Sequence, residues 1–156
     1  MPHTDKKLCL TTAILLVRGN KVLLCNHPRY NLWLPLGGHL EAGEDPVEGA
    51  LREVKEESDY EPHEVELFGA HSARKWDHQM KFLVTPMYLD RHFAEDREHV
   101  AFVYFAKVLT DRDATQSSEH SDLRWFSKEE LEGIGPMLKS EIQFYCNEAL
   151  RTFAVS

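Results

Sequence analysis

Gly38 to Tyr60 reads GHLEAGEDPVEGALREVKEESDY, and this stretch decides the fold. Asp45 is a strong helix N-cap, and Pro46 suits the first helical position. Glu48 follows Asp45 by three residues, the spacing of a capping box. Val47, Ala50, Leu51 and Val54 recur at i, i+3, i+4 and i+7, which makes one apolar stripe. A helix is therefore expected from Pro46 to near Ser58-Asp59, with Pro62 just beyond. On that helix Glu53, Glu56 and Glu57 fall within an arc of roughly 100°, well to one side of the stripe. Like charges at i,i+3 and i,i+4 cost a helix a few tenths of a kcal/mol per pair. A hard divalent cation such as Mg²⁺ turns that repulsion into coordination, because it prefers carboxylate oxygens and keeps positions open for phosphate and water. Arg52 stands four residues before Glu56 and can brace it, or reach back to Glu44. Gly37-Gly38 lets the backbone approach closely, so a carbonyl there can join a metal shell. The plainer alternative is a solvated acidic helix face.

On either side, the chain reads as strands and loops. Leu8 to Val17 is rich in apolar and β-branched residues, Gly19-Asn20 is a turn signal, and Lys21 to Asn26 is the returning strand. Residues 27 to 46 hold three prolines and several glycines and read as a long loop with a short apolar piece, Leu32-Trp33-Leu34. Loops of such length are usually functional. Further strands are expected at Glu64 to Ala73, Lys81 to Leu89 and His99 to Thr110. The run Val100 to Ala106 suits a strand buried on both faces. Asp111 to Ser121 reads as a loop and Leu123 to Phe126 as a short strand. Ser127 caps a short helix with Glu130 three residues on. A final helix is expected from Pro136 to about Phe153. Strands mixed with helices in one unit of 156 residues imply a single α/β domain, a sheet covered by helices on both faces.

Composition narrows the function. There are 18 Lys+Arg against 26 Asp+Glu, a formal charge of −8. Such a chain is a poor candidate for gripping nucleic acid or an anionic membrane by charge. Cys9, Cys25 and Cys146 are odd in number and form no CxxC pair, which argues against a disulfide framework and fits a reduced, cytoplasmic setting. The longest apolar runs, Ala13 to Val17 and Val100 to Ala106, fall far short of the roughly 20 residues of a membrane span. The N-terminus lacks the apolar stretch of a signal peptide.

The order Gly38, five residues, Glu44, seven residues, Arg52-Glu53-Val54-x-Glu56-Glu57 resembles the Nudix box. Leu32 to Gly38 resembles the segment that leads into it, and Leu123 to Leu131 the family's late strand and helix. The resemblance implies a Nudix-type α/β/α sandwich with a mixed β-sheet. It implies a metal-dependent enzyme that cuts a nucleoside diphosphate linked to another group within its pyrophosphate. Gly38, Glu53, Glu56 and Glu57 would then hold Mg²⁺ or Mn²⁺, with Arg52 orienting the glutamates and Glu44 as its partner. The metal would also neutralise an acidic substrate on an acidic protein.

The general base is a box glutamate such as Glu56 or a later loop acid, Glu95, Glu98 or Glu119, of which Glu98 is preferred. His39, beside Gly38, is a candidate phosphate contact. Trp33 and Trp76 are candidate stacking platforms for a base, and residues 71 to 81 are the place to look for specificity. Two positions depart from the box: Asp59 and Tyr60 stand where glycine and an aliphatic residue are usual. Asp59 is expected to cost stability or shift the helix end rather than abolish activity. Alternatives are an enzyme of RNA 5′ ends, a nucleotide-binding Nudix-fold protein without catalysis, and an isomerase of isoprenoid diphosphates. The acidic balance, the absence of a DNA-binding domain and the intact glutamates count against these in turn. Expected partners are small nucleotides, with the chain a monomer or homodimer.

Overall fold

The structure is a computed structural model that describes residues 7–70, 80–116 and 122–154. Its centre is a mixed sheet. Strand β1 (Cys9–Arg18) runs parallel to β7 (Arg97–Val108) along one edge, from Cys9↔His99 to Val17↔Lys107. Its other edge is shared by two antiparallel partners: β4 (Leu36–His39) takes Thr11 to Ile14, and β2 (Lys21–His27) takes Leu16 to Arg18. Beyond β2 lie β3 (Leu32–Leu34) and β8 (Asp122–Ser127). Beyond β7 lie β5 (Val65–Leu67) and β6 (Tyr88–Ala94).

Alternation along β1 and β7 divides the core in two. Ile14, Leu16, Tyr104 and Ala106 face helix α1 (Pro46–Ser58), whose Ala50 and Val54 are fully buried against them. Leu15, Val17, Val103 and Phe105 face the other way, onto α2 (Lys128–Gly133) and α3 (Ser140–Thr152) through Leu131, Cys146 and Ala149. The result is a sheet between two helical layers, as expected.

The capping box of α1 forms as read: Asp45 accepts from the amides of Val47 and Glu48, and Glu48 accepts from Asp45 N–H. The helix end is not shifted. Asp59 takes the left-handed conformation, φ 63°, that a glycine would occupy there. Its carboxylate is held by Lys55 at 2.6 Å and by Arg112, which offsets the unfavourable charge at a helix C-terminus. Tyr60 is fully buried and donates to the Arg112 carbonyl at 2.9 Å.

Four expectations need correction. The segment 27–46 is not one loop, because β3 and β4 form inside it. Gly37 adopts φ 149°, and a Cβ there would stand 2.1 Å from the Thr12 carbonyl oxygen, so only glycine lets β4 close on β1. The strand expected at Lys81 to Leu89 lies instead at Tyr88–Ala94, joined to β7 by a tight turn at Glu95-Asp96 with φ 52° and 59°. That turn lacks the glycine which normally signals a hairpin. Only Val65–Leu67 of the Glu64 to Ala73 segment forms a described strand, after a 3-10 turn at Pro62–Glu64. The last helix starts at Ser140, because Gly135–Met137 makes a separate 3-10 turn and Leu138 is extended.

Candidate active site

One face of α1 and the end of β4 carry the site. Arg52 is its hub. Nε and Nη2 grip Glu44 at 3.0 and 2.7 Å, while Nη1 reaches Glu53 at 3.0 Å and Glu56 at 3.1 Å. Nη2 also donates to the His39 carbonyl at 3.1 Å, which ties the helix to the strand that carries Gly38. The planar fork of arginine makes such simultaneous contacts possible. Arg52 holds the Glu44 carboxyl down at about 2.

The glutamates are not a solvated face. Glu57 is 3 % exposed, although it is charged and lies on a helix. Its Oε1 accepts the Gly37 amide at 2.7 Å, and the Cys25 thiol points at Oε2 from 3.9 Å. Burial, then the Glu57 charge, pushes the Cys25 thiol up, so it stays protonated. Glu53 is mostly covered as well. Burial and then the neighbouring Glu57 charge raise its carboxyl to about 7, against the opposing pull of Arg52. A Cβ on Gly38 would meet Glu53 Oε1 at 2.5 Å, so the backbone there lies directly against the carboxylate. Glu56 is more open and faces solvent at the rim.

This arrangement fits a hard divalent cation. Its donors are carboxylate oxygens beside a glycine backbone, and Glu53 and Glu57 crowd two negative charges into a partly dry space. A cation there relieves the crowding of the two carboxylates, which adds to burial in raising the Glu53 carboxyl.

The stability of the metal-free protein reports this. A Glu53 carboxyl raised to about 7 binds its proton more tightly folded than unfolded. Its contribution is therefore present below the ordinary glutamate range and lost as pH rises through about 7. Metal-free protein is expected to lose more thermal stability between pH 5 and pH 8 than its Glu53→Gln variant does. Identical slopes in melting scans would show that Glu53 titrates normally.

The other expected residues scatter. Glu98 lies on β7, on the same sheet face as Tyr104 and α1, and is bonded to Arg91 of β6. Glu95 is in the β6–β7 turn. Trp33 is a core residue, 6 % exposed, edge-on to Phe126, so its ring is not open for stacking. His39 pairs with Thr11 in the β4–β1 ladder, on the face opposite α1, and its ring meets His99. It points away from the glutamates. Trp76 and Glu119 lie outside the described residues. The Gly37 amide and Cys25 were not foreseen, since nothing in their local sequence marks them as neighbours of Glu57.

The family model for the NUDIX domain matches residues 7–147, nearly the whole chain. The chain belongs to the Nudix family. The chemistry of Nudix hydrolases is hydrolysis of a phosphoric anhydride bond. A NUDIX-family hydrolase from Clostridium perfringens superposes with a TM-score of 0.80 at 28% identity, covering 95% of this chain and 99% of that one. The NAD-capped RNA hydrolase NudC of Pseudomonas aeruginosa is 25% identical over 131 residues, 83% of this chain and 40% of that protein. The m7GpppN-mRNA hydrolase NUDT17 of Homo sapiens is 43% identical over 61 residues, 35% of this chain and 19% of that protein. The chain thus spans well under half the length of these two relatives. Among the described residues no helix is long and apolar enough to cross a membrane.

Proposed function

We propose that this Nudix chain is a divalent-metal-dependent pyrophosphohydrolase whose substrate is a nucleoside diphosphate linked to another group. The observation that carries the reading is the pair of buried Glu57 and largely covered Glu53 beside Gly37-Gly38, with Glu56 at the rim and Arg52 as the cation that bonds both Glu53 and Glu56. Gly38, Glu53, Glu56 and Glu57 would hold Mg²⁺ or Mn²⁺. A metal bound there supplies positive charge to the pyrophosphate and activates water for attack on phosphorus.

The chain's own residues do the rest. Arg52 orients Glu53 and Glu56 and is itself anchored by Glu44. The Gly37 amide fixes one oxygen of Glu57 and leaves the other toward Cys25. The solvent-facing Glu56 is the carboxylate best placed to take a proton from water, with Glu98 on the same sheet face the second candidate.

The Pseudomonas and human relatives, an NAD-capped RNA hydrolase and an m7GpppN-mRNA hydrolase, favour a second reading, in which the group beyond the diphosphate is an RNA 5′ end. The charge of −8 weighs against a long RNA footprint and toward the small nucleotide. The deciding experiment incubates the protein with Mg²⁺ or Mn²⁺ and a panel of nucleoside triphosphates, nucleotide sugars, dinucleotides and capped RNA. Cleavage within a pyrophosphate, abolished by chelator, is the expected result. Cleavage undiminished in excess chelator, or binding without product, overturns the reading.

A further inference from the structure

On the sheet face opposite α1, three residues far apart in sequence meet. Cys9 opens β1, His99 is its register partner on β7, and His39 closes β4 two residues up the β1 ladder. One sulfur and one nitrogen from each imidazole all lie within 4.8 Å of one another. We propose that Cys9, His39 and His99 form a binding site for a borderline-soft divalent transition metal, Zn²⁺ in the first instance, separate from the glutamate site.

Geometry supports this. The Nε2 atoms of His39 and His99 stand 3.2 Å apart. Two nitrogens at about 2.0–2.1 Å from a tetrahedral zinc are separated by about 3.4 Å, so the imidazoles are already spaced as two ligands of one ion. Without an ion the contact is poor. Two facing ring nitrogens share at most one proton. A cation uses both Nε2 lone pairs and leaves each ring a defined tautomer.

Ligand chemistry agrees. One thiolate and two imidazoles are a borderline-soft set that selects Zn²⁺ over Mg²⁺, the reverse of the all-oxygen set on α1. Burial, with His39 and His92 beside it, holds His99 below the usual histidine range, which favours the neutral, ligating form. His92 stacks on His99 at 5.4 Å and is held by Asp90 at 2.7 Å, so the ring most deeply placed is also packed from behind. His39 is exposed, which gives the ion a way in and leaves a fourth position for solvent or an added ligand. Because the His39 carbonyl accepts from Arg52, an ion here also steadies the strand end that carries Gly38.

The test removes the competing site first. In metal-stripped protein carrying Glu53→Gln and Glu57→Gln, one Zn²⁺ per chain is expected to bind in calorimetric titration. Co²⁺ in its place is expected to show tetrahedral visible bands and a thiolate-to-cobalt charge-transfer band. Cys9→Ser should abolish the charge-transfer band. His39→Gln, at an exposed position that the fold tolerates, should weaken Zn²⁺ by about 100-fold or more, since loss even of an outer-shell partner costs 10–100-fold. Melting scans without metal check that both variants fold. Absence of Zn²⁺ binding once the glutamates are neutralised overturns the proposal. So does Zn²⁺ affinity unchanged in Cys9→Ser and His39→Gln. Neither outcome touches the hydrolase reading, which rests on the other face of the sheet.

Discussion

Glu57→Gln is expected to lower Mg²⁺-dependent turnover by about 10²–10³, the usual cost of losing one electrostatic contributor at a reacting centre, while leaving the protein as stable or more so. Both halves follow from the position of Glu57. Its carboxylate is almost wholly buried, and it faces the Glu53 carboxyl, which burial and then the Glu57 charge raise. Glutamine preserves size and helix propensity, and its amide oxygen can still accept the Gly37 N–H. Removing the charge relieves both Glu53 and the buried site, so the metal-free melting temperature should hold or rise. The same change takes a hard anionic oxygen from the proposed metal shell. Glu48→Gln is the control: it lies on the same helix, its side chain serves the N-terminal capping box, and glutamine serves there equally well. Melting temperature and Mg²⁺-dependent hydrolysis of both variants decide the matter. Near-normal turnover in Glu57→Gln would mean that the glutamate face is not the reacting centre.

Arg52→Ala is expected to be destructive in a different way. It strips the one guanidinium that bonds Glu44, Glu53, Glu56 and the His39 carbonyl together. Leaving a buried charge without its partner costs about 3–5 kcal/mol. Arg52 keeps a fifth of its side chain exposed, so the lower end, about 3 kcal/mol, is expected. Saturating Mg²⁺ should return part of that loss, because the cation replaces the missing positive charge among the glutamates. Arg52→Lys should recover the charge but little of the stability, since a point ammonium cannot make the forked contacts. Denaturant titrations with and without Mg²⁺ measure all three quantities. A loss below 1 kcal/mol for Arg52→Ala would reduce the Arg52 network to an ordinary surface ion pair.

Where the sequence was legible, the controlling interactions were local. The capping box at Asp45 and Glu48, the apolar stripe of α1 and the arc of glutamates depend on spacings of three and four residues, and all three appear where they were expected. Arg52 reaching both Glu44 and Glu56 follows from the same geometry. Strand placement failed where local signals were weak or misleading. Leu36–His39 carries two glycines, poor strand formers, yet it pairs with β1 because Gly37 alone fits beneath the Thr12 carbonyl. Tyr88–Ala94 was displaced because its hairpin turns on Glu95-Asp96 rather than on glycine.

By itself, then, the sequence determined the helix, its caps, the carboxylate face and the kinship those residues carry. Only the tertiary structure decided how dry that face is and which residues beyond it take part. Glu57 is buried because β2 and β4 close over it, which brings Cys25 and the Gly37 amide to a carboxylate 32 and 20 residues further along the chain, separations that no spacing rule connects. His39 turned from the glutamates to Cys9 and His99 for a similar reason. A strand sends alternate side chains to opposite faces, and which face His39 takes is set by its register on β1, a pairing that exists only once the sheet has formed.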